Sequence, residues 1–125
     1  MGINGNAWFE IGTDDREGTE SFYADVFGWS FIDDDSTSPD GRPYRMVVTG
    51  SGEPPSGGVT GVGGTRANYS TFFLLVADTA DTCRRVEAAG GKVEVPTQRN
   101  ASGLRWAHLI DPQGNRFGVF TPPQG

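Results

Sequence analysis

The sequence holds one histidine, His108, in the stretch WAHLIDPQGNRFGVF that runs from Trp106 to Phe120. An unperturbed imidazole titrates near neutrality, so His108 could serve as a general acid or base. It could equally be a strand histidine, half-buried and hydrogen-bonded to a neighbour. One carboxylate invites the same question. Glu10, in AWFEIG, shares a strand face with Trp8, because side chains two apart on a strand point the same way. Glu10 could pair with an arginine near the sheet or anchor a ligand. One carboxylate and one imidazole are too few for a dedicated metal site unless a partner chain or Asp residues contribute.

Other chemistries find little support. GVTGVGGT lacks the Gly-Lys-Ser/Thr ending of a phosphate loop and reads as a flexible linker. DDDSTSPD lacks the closing Glu of a calcium loop and reads as a solvated turn. No G-x-S-x-G elbow accompanies the lone histidine. Cys83 falls within a predicted helix, near Val86, and reads as a small buried hydrophobe. A single cysteine excludes an internal disulfide and fits a reducing cytoplasm. The N-terminus MGINGNAWFE has neither the basic region nor the apolar core of a leader, and no apolar run is long enough for a membrane helix. The formal charge is −6, and the ten Lys and Arg residues are scattered, which argues against nucleic acid. An acidic balance favours solubility and is compatible with a cationic ligand.

The elements that must position these residues follow from patterning. Ala7–Ile11 reads as a strand. TDDRE opens a helix with Asp14 as N-cap and Glu17 three residues later, the spacing of a capping box. Phe22 with Val26, and Tyr23 with Phe27, fall four apart and predict one apolar helix face. Gly28 ends that helix. WSFI is a strand, DDDSTSPDG a polar turn, PYRMVVT a strand, GSGEPPSGG a loop and VTGVG a weak strand. In the second half TFFLLV is a strand, Asp78 caps a helix that Gly90-Gly91 stops, and KVEVP and LRWAHLI are strands around the loop TQRNASG. DPQG is a type I turn by composition and RFGVF the last strand.

The halves repeat. Asp15 and Asp78 lie 63 residues apart, as do Gly28 and Gly91; Gly41 and Gly103 lie 62 apart, as do Tyr44 and Trp106. Each half runs strand, helix, strand, strand, strand. The reading is a single α+β domain of two tandem βαβββ modules, about 6–63 and 71–122, with a linker at about 64–70.

Four stretches carry a family resemblance: WFEIGTDD with SFYADVFGW, GGV at 57–59, VADTADTCRRVEAAGGKV, and DPQGNRFGVF. Together they make the chain similar to the vicinal oxygen chelate (VOC) superfamily, the glyoxalase/bleomycin resistance/dioxygenase family. The resemblance implies curved sheets that partly enclose a small-molecule cavity, and a homodimer. It also implies a metal held by one His, Gln or Glu on each of four strands. Counted from the motifs, those positions hold Trp8, a residue near Gly58, Phe72 and Gly118, none of which binds a metal through its side chain. The expectation is therefore no metal and no cofactor.

In place of ligands the cavity would be lined by Trp8 and Glu10, by Tyr44 and Met46, by Phe72 and Leu74, and by Trp106 and His108. Aromatic area with a few polar groups suits a flat or apolar small molecule. The expected function is metal-independent small-molecule binding in the cytoplasm, as in bleomycin resistance proteins. The alternative is a metal-free isomerase or lyase using Glu10 or His108 as acid or base. A metal-dependent, glyoxalase-like or dioxygenase activity is a third reading that the missing ligands oppose.

Overall fold

The computed structural model describes residues 2–123. The chain forms two compact units, one spanning Trp8–Ser70 and the other joining the N-terminal segment through Ala7 to the chain from Thr71 onward. The order strand, helix, strand, strand, strand occurs twice, so the architecture is α+β with two βαβββ modules.

In the first unit the elements are β1 (Asn6–Thr13), α1 (Arg16–Phe27), β2 (Ser30–Thr37), β3 (Pro43–Val48) and β4 (Gly57–Gly61). Its sheet runs β2-β3-β4-β1, with β4 parallel to β1 and the other neighbours antiparallel. Strand β4 is buried along its whole length; it overlaps the weak strand expected at VTGVG and corrects the linker reading of GVTGVGGT over residues 58–61. A glycine-rich run can still be a central strand when neighbouring side chains fill the space its own lack. Strand β2 carries on through the aspartates expected in a turn. It is the edge strand, where charge discourages unwanted pairing.

Helix α1 begins one residue later than expected. Asp15, not Asp14, is its N-cap, and its carboxylate accepts from the N–H of Gly18 at 3.0 Å. Asp14 instead makes a reciprocal pair with Asn68. Gly28 closes the helix in the left-handed region, at φ 72°. The first helical residue, Arg16, is buried and clamps the β2–β3 turn. Its guanidinium donates to Asp40 at 3.0 Å, to the carbonyl of Pro43 at 2.9 Å and to Ser38 Oγ at 3.2 Å. The apolar face expected of α1 is only partly used. Tyr23 stacks on Trp29, which meets Phe9, but Phe22, Val26 and Phe27 are exposed.

The second unit has β5 (Tyr69–Leu75) from Thr71 onward, its first two residues Tyr69 and Ser70 belonging to the first unit, then α2 (Thr79–Ala88), β6 (Lys92–Arg99), β7 (Arg105–Ile110) and β8 (Arg116–Thr121). Its sheet runs β5-β8-β7-β6, with β8 parallel to β5. Asp78 caps α2, accepting from Asp81 N at 3.0 Å. Strand β6 takes in Thr97–Arg99, expected as loop. The DPQG turn forms as composition predicts, with Gly114 N donating to the carbonyl of Asp111 at 3.0 Å. Cys83 packs with Val76, Ala107, Leu109 and Val119, flanked by Leu74, Val86, Val93 and Phe117. Burying a side chain such as Leu109 or Val119 contributes about 1.5–3 kcal/mol, which seats α2 on this face of the sheet.

Candidate functional site

In the first unit the sheet has two unlike faces. Phe9 and Arg45 point toward α1: Phe9 meets Trp29, and Arg45 donates to Glu20. Trp8, Glu10, Tyr44 and Met46 alternate to the opposite face.

On that face the polar groups converge. Trp8 Nε1 donates to the Tyr44 hydroxyl at 3.0 Å, and that hydroxyl donates to Glu10 Oε1 at 3.0 Å. The other carboxylate oxygen, Oε2, accepts from the Tyr69 hydroxyl at 2.6 Å. Glu10 is only 8% exposed, so these bonds are made away from bulk water, where a polar group left without them would be costly. Burial, and next the negative charge of Glu10, push the Tyr44 hydroxyl well above the ordinary tyrosine range. Tyr44 is therefore a neutral phenol, accepting from Trp8 and donating to Glu10 at once.

Two glycines make room for the tyrosines. A Cβ at Gly58 would stand 1.8 Å from the Tyr44 hydroxyl oxygen, and one at Gly12 would stand 2.1 Å from Tyr69 Cε1. In register, Glu10 lies opposite Gly58 and Met46 lies beyond it. Strands β1 and β3 and one residue from the expected linker thus build a single polar cluster.

The second unit carries an apolar counterpart. Phe73 lies over Gly118, where a Cβ would come within 2.3 Å of its ring. His108, 3% exposed, sits between Phe73 and Trp106, with ring centroids at 5.4 and 5.2 Å. Phe72 and Leu74, expected beside Trp106 and His108, lie on the other face. Phe72 stacks on Phe117, and Leu74 packs on the core beneath α2. A shift of one residue along a strand moves every side chain to the opposite face, so Phe73 takes the place expected for Phe72. The 63-residue spacing already contained this signal, since it carries Glu10 onto Phe73.

Tyr69 was not a sequence candidate. It falls at the end of the expected linker, and only Gly12 inside strand β1 hints that a neighbouring ring must approach there.

A divalent metal does not fit the positions at which the resemblance implies one. Trp8 offers an indole N–H, a donor only, and uses it on Tyr44. Gly58 and Gly118 have no side chain and are covered by Tyr44 and Phe73. Neither Phe72 nor Phe73 is a ligand. Among the described residues no group of three or more His, Cys, Asp or Glu side chains could hold a metal ion.

Comparison with known proteins agrees with this architecture. The chain is 32% identical to the anthracycline biosynthesis protein DnrV of Streptomyces peucetius, over 91% of this chain and 46% of that protein. It is 29% identical to DauV of Streptomyces sp. strain C5, over 91% and 46%. The chain thus spans about half the length of the curated relatives it matches. Among solved structures it resembles methylmalonyl-CoA epimerase from Mycobacterium tuberculosis, with TM-score 0.65 and 15% identity over 98% of this chain and 90% of that one. A methylmalonyl-CoA epimerase in complex with methylmalonyl-CoA is similar at TM-score 0.64 and 15% identity, covering 97% and 96%. At that identity the likeness is one of fold. The model of the Glyoxalase/Bleomycin resistance protein/Dioxygenase superfamily matches residues 6–119, and the chain belongs to that superfamily.

Proposed function

We propose that this chain binds a small organic molecule without a resident metal, on the sheet face that carries Trp8, Glu10, Tyr44 and Met46, and that it works as a homodimer. The observation that supports this reading is the buried Glu10 carboxylate held by two phenols. Such a cluster is a fixed polar anchor beside aromatic area, which orients a flat ligand while the rings supply affinity. Each carboxylate oxygen is committed to a tyrosine hydroxyl, which suits an anchor better than a mobile proton carrier. Trp106 and His108 are the corresponding aromatic residues of the second unit, with Phe73 beside them.

Titration of purified protein with a panel of aromatic small molecules tests this, followed by tryptophan fluorescence and calorimetry. Binding should occur without added metal, and Glu10→Gln or Tyr44→Phe should weaken it about tenfold, the equivalent of about 1.4 kcal/mol. Unchanged affinity in both variants, or binding only after loading with a divalent metal, would sink the reading.

The relatives named for anthracycline biosynthesis support a place in small-molecule metabolism, and within it a second reading is a metal-free isomerase or lyase with Glu10 or His108 as acid or base. NMR detection of solvent deuterium entering an acidic C–H of a bound carbonyl compound, lost in Glu10→Gln or His108→Gln, would select it.

A further inference from the structure

The Glu10 carboxylate is reached from two sides, and the two phenols that reach it are held differently. Tyr44 belongs to β3, and its hydroxyl lies over Gly58. That hydroxyl accepts from Trp8 while it donates to Glu10 Oε1, so Tyr44 is locked between two side chains of the sheet. Tyr69 is the first residue of β5, and its ring lies over Gly12 as it donates to Glu10 Oε2 at 2.6 Å. It follows a stretch in which residues 63–65 and 67–68 are exposed, opened by Gly63 and Gly64 in the left-handed region at φ 59° and 76°. From that stretch Arg66 covers the Tyr69 ring, its guanidinium carbon 5.7 Å from the ring centre.

With both phenols in place Glu10 is 8% exposed. A ligand that uses this carboxylate must therefore take the place of one of them. Moving Tyr44 would leave Trp8 Nε1 without its acceptor as well, a second buried loss. Turning Tyr69 aside releases Oε2 and leaves the Trp8–Tyr44–Glu10 chain whole. The incoming group is set by what the carboxylate already accepts, a neutral O–H. An anion would face the charge of Glu10. An ammonium would give up its hydration at a carboxylate almost closed to water, at a large cost. Around this point the face is apolar. Trp8 and Met46 lie on it, and Ile32, opposite Met46 in register, is 48% exposed. Such area suits a flat ring.

We infer that the ligand of this face is a planar phenol or enol whose hydroxyl replaces that of Tyr69 on Glu10 Oε2, and that Tyr69 is a latch over the site. This rests on the binding reading above; it adds the chemical class of the ligand and the side chain that yields to it.

Calorimetry on the full chain with 2-naphthol and with 2-methoxynaphthalene, which has the same rings and no donor, tests it. Wild type should bind 2-naphthol more tightly. Tyr69→Phe removes the competing hydroxyl and should tighten 2-naphthol about tenfold, while the ether stays within about twofold. The sign is opposite to the loss expected for Tyr44→Phe. Arg66→Ala removes the contact on the Tyr69 ring and should tighten 2-naphthol about two- to fivefold. Saturating 2-naphthol should also raise the melting temperature of Tyr69→Phe more than that of wild type, because the ligand supplies the donor that the variant lacks. Far-UV circular dichroism checks folding; if Tyr69→Phe does not fold, Arg66→Ala and the preference of wild type between the two probes decide. Unchanged or weaker 2-naphthol binding in Tyr69→Phe, or equal affinity of wild type for both probes, would overturn the latch and leave the binding reading standing. No binding of either probe to wild type or to the variants would overturn both.

Discussion

The hydroxyl of Tyr44 fills the space that a side chain at Gly58 would need, 1.8 Å from where a Cβ would stand. Glycine is thus required at this position by a neighbour rather than by its own backbone. The same contact explains why a metal ligand does not fit here: any side chain at 58 competes with the phenol that reaches Glu10.

Gly58→Ala should therefore displace Tyr44 and break its bonds to Trp8 and Glu10. Overpacking of this kind costs about 1–3 kcal/mol. Urea denaturation should show the loss, with a change in tryptophan emission as Trp8 loses its acceptor. A cost below about 0.5 kcal/mol, the scale of an ordinary surface change, would mean that the ring moves aside freely.

Tyr44→Phe and Tyr69→Phe each remove one donor from the buried Glu10 carboxylate, and each should cost about 1–3 kcal/mol. Because both phenols act on one carboxylate, the double variant should depart from the sum of the singles, with a coupling of about 0.5 kcal/mol or more. Strict additivity in a double-mutant cycle would contradict a shared network.

The alkaline limb of stability should carry the mark of Tyr44. Below about pH 10 its phenol is neutral in both the folded and unfolded states. Above that, the unfolded chain ionises first, because burial and Glu10 raise the folded value. The unfolded state then holds fewer protons, and stability falls with rising pH by about 1.4 kcal/mol per unit. Tyrosinate absorbance should show that Tyr44 titrates only as the protein unfolds. In Tyr44→Phe the late step should shrink by one tyrosine and the alkaline slope should flatten.

The acid limb should involve Asp40. Burial raises its carboxyl, but the Arg42 N–H and the Arg16 guanidinium outweigh this and hold it below the usual value. A lowered folded value stabilises at neutral pH, and that part is lost as pH falls through the folded pKa, below about 4. Asp40→Asn leaves Arg16 buried without its anion and should cost about 3 kcal/mol at neutral pH. Its denaturation midpoint should then depend less on pH below about 4 than that of wild type. An equal acid dependence in both proteins would move the effect to other carboxylates.

Much of this molecule was legible in local pattern. The βαβββ repeat, the Asp78 cap, the Gly28 stop and the DPQG turn follow from residue types at fixed spacings, because caps and turns are satisfied within a few residues. Glu10 beside Trp8 and Tyr44 beside Met46 followed from strand alternation alone. The tertiary structure decided what depends on partners distant in sequence. It drew Tyr69 out of an apparent linker onto Glu10, 59 residues away, and buried β4 between β1 and β3. It set Phe73 rather than Phe72 beside His108, because strand register flips every side chain when it moves by one. It also left half of an amphipathic helix uncovered, since hydrophobic spacing names an apolar face but not the surface that will meet it.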